Sequence, residues 1–176
     1  MTAQGTQPLN RAQVVLHHKL SPITIDPALA FERKPNKLAF AYWQSRREGR
    51  AMPTRSDLNP VAMKQFTPHV GIVEVRRNSR ETEYFIRRAG TRWEDVYGQM
   101  TGKILQEFLP PHLAPAWQSV FDEVAAAAMP IRLTTQVDFE NKTWLDIELM
   151  VAPLGDHGEV NMFLTSFVSW SKSAAQ

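Results

Sequence analysis

Ala89-Gly90-Thr91-Arg92-Trp93-Glu94-Asp95-Val96-Tyr97-Gly98-Gln99-Met100-Thr101-Gly102-Lys103-Ile104-Leu105 is the stretch on which the reading of the fold depends. The apolar run Tyr84, Phe85, Ile86 precedes it. Seven residues of helical character follow Gly90, and Gly98 and Gly102 bracket a tight crossing ahead of Ile104, Leu105 and Phe108. Glycine takes positive φ without a Cβ penalty, so the three glycines predict sharp turns where a strand leaves a sheet and feeds a short helical connection.

Upstream, Val70 to Arg76 and Glu83 to Ala89 read as strands joined at Asn78-Ser79-Arg80, a hairpin. Before them, Asn59-Pro60 predicts the start of a short helix through Val61, Met63 and Phe66 that Pro68 ends. Lys37 to Arg50 reads as a longer helix, with Asn36 as its cap, Leu38, Ala41, Tyr42 and Ser45 at helical spacing, basic residues in the last turn, and Gly49 as its stop. Its aromatics Phe40, Tyr42 and Trp43 need an apolar surface to lie on. Residues 1–36 hold scattered apolar residues broken by Pro22, Pro27 and Pro35, which predicts a poorly ordered arm with a short docked piece at Pro27 to Phe31. His17 and His18 are neighbours in sequence and do not share a helix face, so they read as solvated.

Downstream, Leu113 to Met129 is a strong helix, with Leu113, Trp117, Val120, Phe121 and Val124 on one stripe. Three strands finish the chain. Ile131 to Glu140 alternates apolar with polar, Trp144 to Val151 does the same, and Val160 to Trp170 is apolar on both faces. Alternation in the middle strand assigns Asp146 and Glu148 to solvent. In the last strand Phe163 and Phe167 share one face, while Val160, Met162, Leu164 and Val168 share the other. That outer face needs a cover, and the helix carrying Phe40 and Trp43 is the candidate, from its own chain or from a second copy.

Composition narrows the chemistry. Hydrophobic residues are 43% and charged residues 22%, ordinary globular usage, which excludes disorder of the whole chain. The chain has no cysteine, which removes disulfides, zinc thiolates, iron–sulfur ligation and cysteine nucleophiles together. It has no membrane-length apolar run and no signal-peptide pattern, so a cytoplasmic protein is expected. Net charge is only +2, but Arg33, Lys34, Lys37, Arg46, Arg47, Arg50 and Arg55 face Glu48 alone within their segment. Such a layout could steer an acidic partner.

The predicted order is helix, hairpin, short helices, long helix and three-strand meander: an α+β fold built on a five-stranded antiparallel sheet, with helices on one face and an N-terminal helical extension. This order resembles the PAS domain. The nearest likeness is to a short bacterial stand-alone PAS subfamily, carried by Tyr42-Trp43-Gln44-Ser45-Arg46-Arg47-Glu48-Gly49-Arg50-Ala51-Met52-Pro53 and continued by Leu58-Asn59-Pro60, Pro68-His69, Gly90-Thr91, Tyr97-Gly98 and Thr101-Gly102. On this reading residues 1–36 are an arm, 37–68 a helical extension, 69–170 the PAS-like domain and 171–176 a tail. The resemblance implies a non-catalytic sensory or regulatory module of bacterial signal transduction. Its output would be a separate signalling protein met in trans, with a homodimer as a further expectation.

The alternative that the resemblance offers is small-molecule sensing. Trp93, Tyr97, Phe108, Trp117 and Phe121 come from the segments that would wall a ligand cavity between sheet and long helix, with Arg87 or Arg88 as a charged contact. The same aromatics could fill a core without leaving a cavity. Phe40, Trp43, Phe163 and Phe167 are the candidate interface residues. No cofactor is required by the sequence. A flavin that forms a cysteine adduct is excluded, and haem is not expected, since its nearest candidate ligands, His112 and His69, read as loop residues. No Gly-x-Ser-x-Gly, phosphate loop or His-Glu-x-x-His is present, and no metal site is expected. Nucleic-acid binding through residues 33–55 is the least favoured reading, because its aromatics belong to a face expected to be buried.

Overall fold

The computed structural model describes residues 23–137, 139–142 and 145–171. Along the chain run β1 (Thr24–Asp26), α1 (Lys34–Arg47), β2 (Val70–Arg77), β3 (Thr82–Ala89), α2 (Thr91–Tyr97), α3 (Leu105–Phe108), α4 (Ala114–Ala127), β4 (Ile131–Gln136), β5 (Leu145–Asp156) and β6 (Glu159–Ser171). Among the described residues the strands form one six-stranded sheet in the order β1-β4-β5-β6-β2-β3, antiparallel throughout. The five expected strands are all present. The sixth, β1, pairs Ile25 with Leu133 at one edge.

Strand alternation divides the sheet into two apolar faces. Leu149 pairs with Phe167, Val151 with Thr165 and Pro153 with Phe163, and these side chains share the inner face with α2, α3 and α4. There Phe163 packs on Phe121 of α4 at 5.2 Å between ring centroids, and Phe167 stacks on Trp93 of α2 at 4.6 Å. The Tyr84 hydroxyl donates to Asp122 of α4 at 2.6 Å. Met150, Ala152 and Leu164, on the opposite face, are equally inaccessible. Their cover is α1 of the same chain, whose Trp43 Nε1 donates to the Pro153 carbonyl at 2.8 Å.

The N-terminal extension is therefore part of the fold, fastened by charge as well as by apolar contact. Glu148 on β5 accepts the backbone N–H groups of Glu32 (2.8 Å) and Arg33 (3.0 Å) and the Asn36 amide (3.0 Å). Arg132 of β4 adds its guanidinium at 2.9 Å and also reaches Asp26 at 3.1 Å. Burial opposes ionisation of Glu148, but these donors outweigh it and hold its carboxyl below the ordinary range. Sequence alternation had assigned Glu148 to solvent. It is fully buried because the segment preceding α1 crosses that face and supplies donors to it.

Several local expectations are corrected. Residues 1–22, with His17 and His18, lie outside the described residues. Residues 23–36, expected within a poorly ordered arm, instead supply β1 and the first turn of α1, while the buried Phe31 agrees with the docked piece expected at Pro27 to Phe31. Asn36 does not cap α1: the helix starts at Lys34, with Pro35 in its first turn, and Asn36 faces Glu148. The helix ends at Arg47, where Glu48 adopts the left-handed conformation ahead of Gly49. Residues 60–66 form successive turns rather than a helix, although Asn59 Oδ1 does accept the Val61 N–H at 2.9 Å. Gly98 and Gly102 have the expected positive φ, but Gly90 does not. Gly90 is required for a different reason, since a Cβ there would run into the backbone carbonyl of Pro68.

Candidate functional site

Six elements converge on one cavity between the inner face and α2–α4. It is bordered by Gly71 and Val73 of β2, Ile86, Arg88 and Ala89 of β3, Trp93 and Tyr97 of α2, and Thr165 of β6. The opposite wall comes from Met100, Leu105, Phe108 and Leu109, with Trp117 and Phe121 of α4. The five aromatics proposed from sequence thus lie together. The void among them is small, about 30 Å³, room for roughly two water-sized groups.

Hydrogen bonds hold the wall in place. The Trp93 indole donates to the His69 carbonyl at 3.0 Å, and His69 Nδ1 donates to the Phe167 carbonyl at 2.8 Å. Lys142 closes the C-terminal end of α2 by donating to the Val96 carbonyl at 2.6 Å, where a cation suits the helix dipole. Glu107 accepts the Ile104 N–H at 2.7 Å and caps α3. The segment joining α2 to α3 runs along the edge of β3: Ile86 donates to the Lys103 carbonyl and accepts from the Gly102 N–H, both at 2.8 Å.

The Thr165 side chain interrupts the apolar lining. Thr165 is fully buried, and its hydroxyl has no hydrogen-bond partner among the described residues. It lies against Gly71, close enough that a Cβ on that glycine would collide with it. Arg88, an exposed residue, borders the cavity where its backbone carbonyl lies against Gly71. Burial pushes the Tyr97 phenol well above its ordinary pKa, so it is neutral and able to donate.

Arg87, the charged contact named first from sequence, is directed elsewhere. Tyr84 and Ile86 point inward, so alternation sends Arg87 to the outer face, where its Nε meets Glu74 Oε2 at 2.8 Å. A register shift between Ile72 and Val73 makes Arg87 the extra residue of a bulge, and both Arg88 and Ala89 then border the cavity. Thr165 was missed. The available signal was a hydroxyl placed between Phe163 and Phe167 on one strand face.

The four candidate interface residues lie within the fold. Trp43 is 1% exposed, and Phe163 and Phe167 are 0% exposed. Phe40 is half-buried between Phe31 and Trp43, at 5.2 and 6.1 Å between ring centroids. Phe163 and Phe167 cannot form an outer contact because they face α2 and α4, and Trp43 is spent on the chain's own sheet. Part of the basic segment is likewise engaged locally: Arg33 stacks on Trp170 at 3.7 Å from its ring centroid, and Arg50 pairs with Asp57 at 2.8 Å.

Compared with known protein families, residues 31–168 match the PAS domain, an interval that contains α1, all the residues bordering the cavity, β2 to β5 and most of β6. The chain belongs to the PAS domain family. PAS domains are in general non-catalytic sensory modules, and a sensory or regulatory role follows for this one. A comparison with curated proteins finds no match. Among the described residues, no helix of this PAS domain is long and apolar enough to cross a membrane, and no group of three or more His, Asp or Glu side chains is placed to hold a metal ion.

Proposed function

We propose that this PAS domain senses a small molecule in the cavity between β2, β3, β6 and α2–α4, and passes the state of that cavity to a separate signalling protein. The observation that carries the reading is the Thr165 hydroxyl, fully buried without a partner among the described residues, on a residue that borders the cavity. A buried polar group left unsatisfied costs about 1–3 kcal/mol, and a bound molecule that satisfies it recovers that cost. A core that merely needed filling would place valine at this position.

The route outward is short. Thr165 lies between Leu164 and Ser166, which alternation turns to the face covered by α1. A molecule that shifts Thr165 therefore shifts the strand on which α1 rests. The bound state must be preferred about tenfold to bias such an equilibrium by about 1.4 kcal/mol.

Mass measurement under native and denaturing conditions tests the sensing step. A retained small molecule, lost on denaturation and absent from a Thr165→Val preparation, is the expected result. Equal masses, together with no thermal stabilisation by any member of a small-molecule set, would remove the sensing reading. A pull-down that recovers a signalling partner equally from wild type and from a variant with the cavity filled would remove the coupling.

A further inference from the structure

We infer that residues 17–22 of the chain itself lie across the open end of the sheet's outer face, with the Lys19 ammonium against Asp146. This cover is separate from the cavity between sheet and helices and does not rest on the sensing reading. Helix α1 crosses only part of the outer face. Beyond it a groove of about 410 Å³ is bordered by Thr24 of β1, Thr134 and Gln136 of β4, Asp146 of β5 and Trp170 of β6. Strand register puts these side chains on one face: Thr24 is opposite Thr134, Thr134 opposite Glu148, Gln136 opposite Asp146, and Asp146 opposite Trp170. The contact between Asn36 and Glu148 identifies it as the face on which α1 rests.

The groove carries surplus negative charge. Asp26, Glu32 and Glu148 share the one guanidinium of Arg132, and the Arg33 guanidinium is spread over the Trp170 ring. Asp146 makes no side-chain hydrogen bond or ion pair among the described residues, and the Glu32 side chain is 71% exposed. A basic occupant complements such a surface. Residues 1–22 hold Arg11, His17, His18 and Lys19 and no Asp or Glu, and they join the fold beside Thr24, on the groove's own border. Pro22 has no N–H with which to carry the β1–β4 ladder further, so the chain before it leaves the edge of the sheet. From Thr24 to Asp146 is two strand spacings and one two-residue step, about 12 Å. The backbone from Thr24 back to Lys19 spans up to about 17 Å, so the ammonium reaches the carboxylate with slack to spare. The tether also gives this segment an effective concentration of about a millimolar or more, an advantage over a free partner of the same charge.

The chain has no cysteine, so a nitroxide attached through Leu16→Cys reports position without background. In the full chain it should broaden the Trp170 indole and Gln136 side-chain amide resonances and leave the Trp117 indole, on the far side of the sheet, sharp. Lys19→Glu and Asp146→Lys should each abolish the broadening, and the double variant with the two charges exchanged should restore it. The Trp117 resonance checks that every variant is folded. Broadening that survives either single reversal, or that the exchange fails to restore, overturns the pairing of Lys19 with Asp146. No broadening at all overturns the cover. Broadening that persists when nitroxide and isotope label are carried by different copies assigns the groove to a second copy and overturns the arrangement within one chain.

Discussion

Asn36 and Glu148 hold each other twice: the Asn36 amide donates to both the backbone carbonyl and the carboxylate of Glu148, each at 3.0 Å. The two residues are 112 positions apart, one in the first turn of α1 and the other mid-way along β5. The contact joins the N-terminal extension to the sheet at a point where neither side chain reaches water. Removing either partner strands the other.

Glu148→Gln should therefore destabilise the domain by about 3 kcal/mol, the usual cost of breaking a buried, hydrogen-bonded ion pair from one side. Urea unfolding monitored by tryptophan fluorescence measures it. A loss below about 1 kcal/mol would mean that Arg132 is satisfied by Asp26 and Glu32 alone.

Acid should release the same anchor. Desolvation works against ionisation of both Glu148 and Asp26. At Glu148 it is outweighed by the backbone donors of Glu32 and Arg33, Asn36 and Arg132, and at Asp26 by the N–H groups of Ala30 and Ala28 and by Arg132. Both folded-state pKa values lie below the ordinary 4.5 and 3.8, so both groups bind fewer protons folded than unfolded in this range. The stability they contribute is full above these ordinary values and is lost as pH falls through the folded ones. In Glu148→Gln the acid limb of the stability curve should flatten; an unchanged limb would assign it to other carboxylates.

Thr165→Val should raise the stability of the ligand-free domain by about 1 kcal/mol, because it replaces an unsatisfied hydroxyl with a methyl of the same shape. Thermal unfolding reads the change. Destabilisation would show that the hydroxyl is satisfied in solution.

Gly90→Ala should cost about 2 kcal/mol or more, since the added Cβ meets the Pro68 carbonyl, a backbone atom that cannot swing aside. Gly98→Ala presents the contrasting case. Nothing lies within 4 Å of its added Cβ, and its cost comes from the positive φ of 72° alone. Comparing the two by denaturant midpoint separates crowding from backbone conformation.

Tyr84→Phe should cost about 2 kcal/mol by removing the 2.6 Å bond to Asp122. Asp122 keeps Gln118 Nε2 at 3.4 Å as a weaker partner, which limits the loss. A variant as stable as wild type would make this bond neutral.

Local pattern carried most of the fold. Strand alternation and the helical stripe of Trp117, Val120, Phe121 and Val124 are properties of contiguous residues, and they placed every strand from β2 to β6, together with α4. The cavity aromatics were legible for the same reason. What could not be read depended on residues distant in sequence. Glu148 looks solvated until Glu32, Arg33 and Asn36 cross above it. Ile25 acquires a strand partner only when Leu133 arrives, and Thr165 becomes conspicuous only once Gly71 closes against it. The interface assignment of Trp43 failed because a surface that needs a cover does not say whose cover it receives.

The bonds between Ile86 and the Gly102–Lys103 backbone act as a zip between the cavity wall and the rim of the sheet. Lifting that wall would bare a backbone donor and an acceptor at once, on the outermost strand. That wall is thereby held to the sheet by main chain and not by side-chain packing alone.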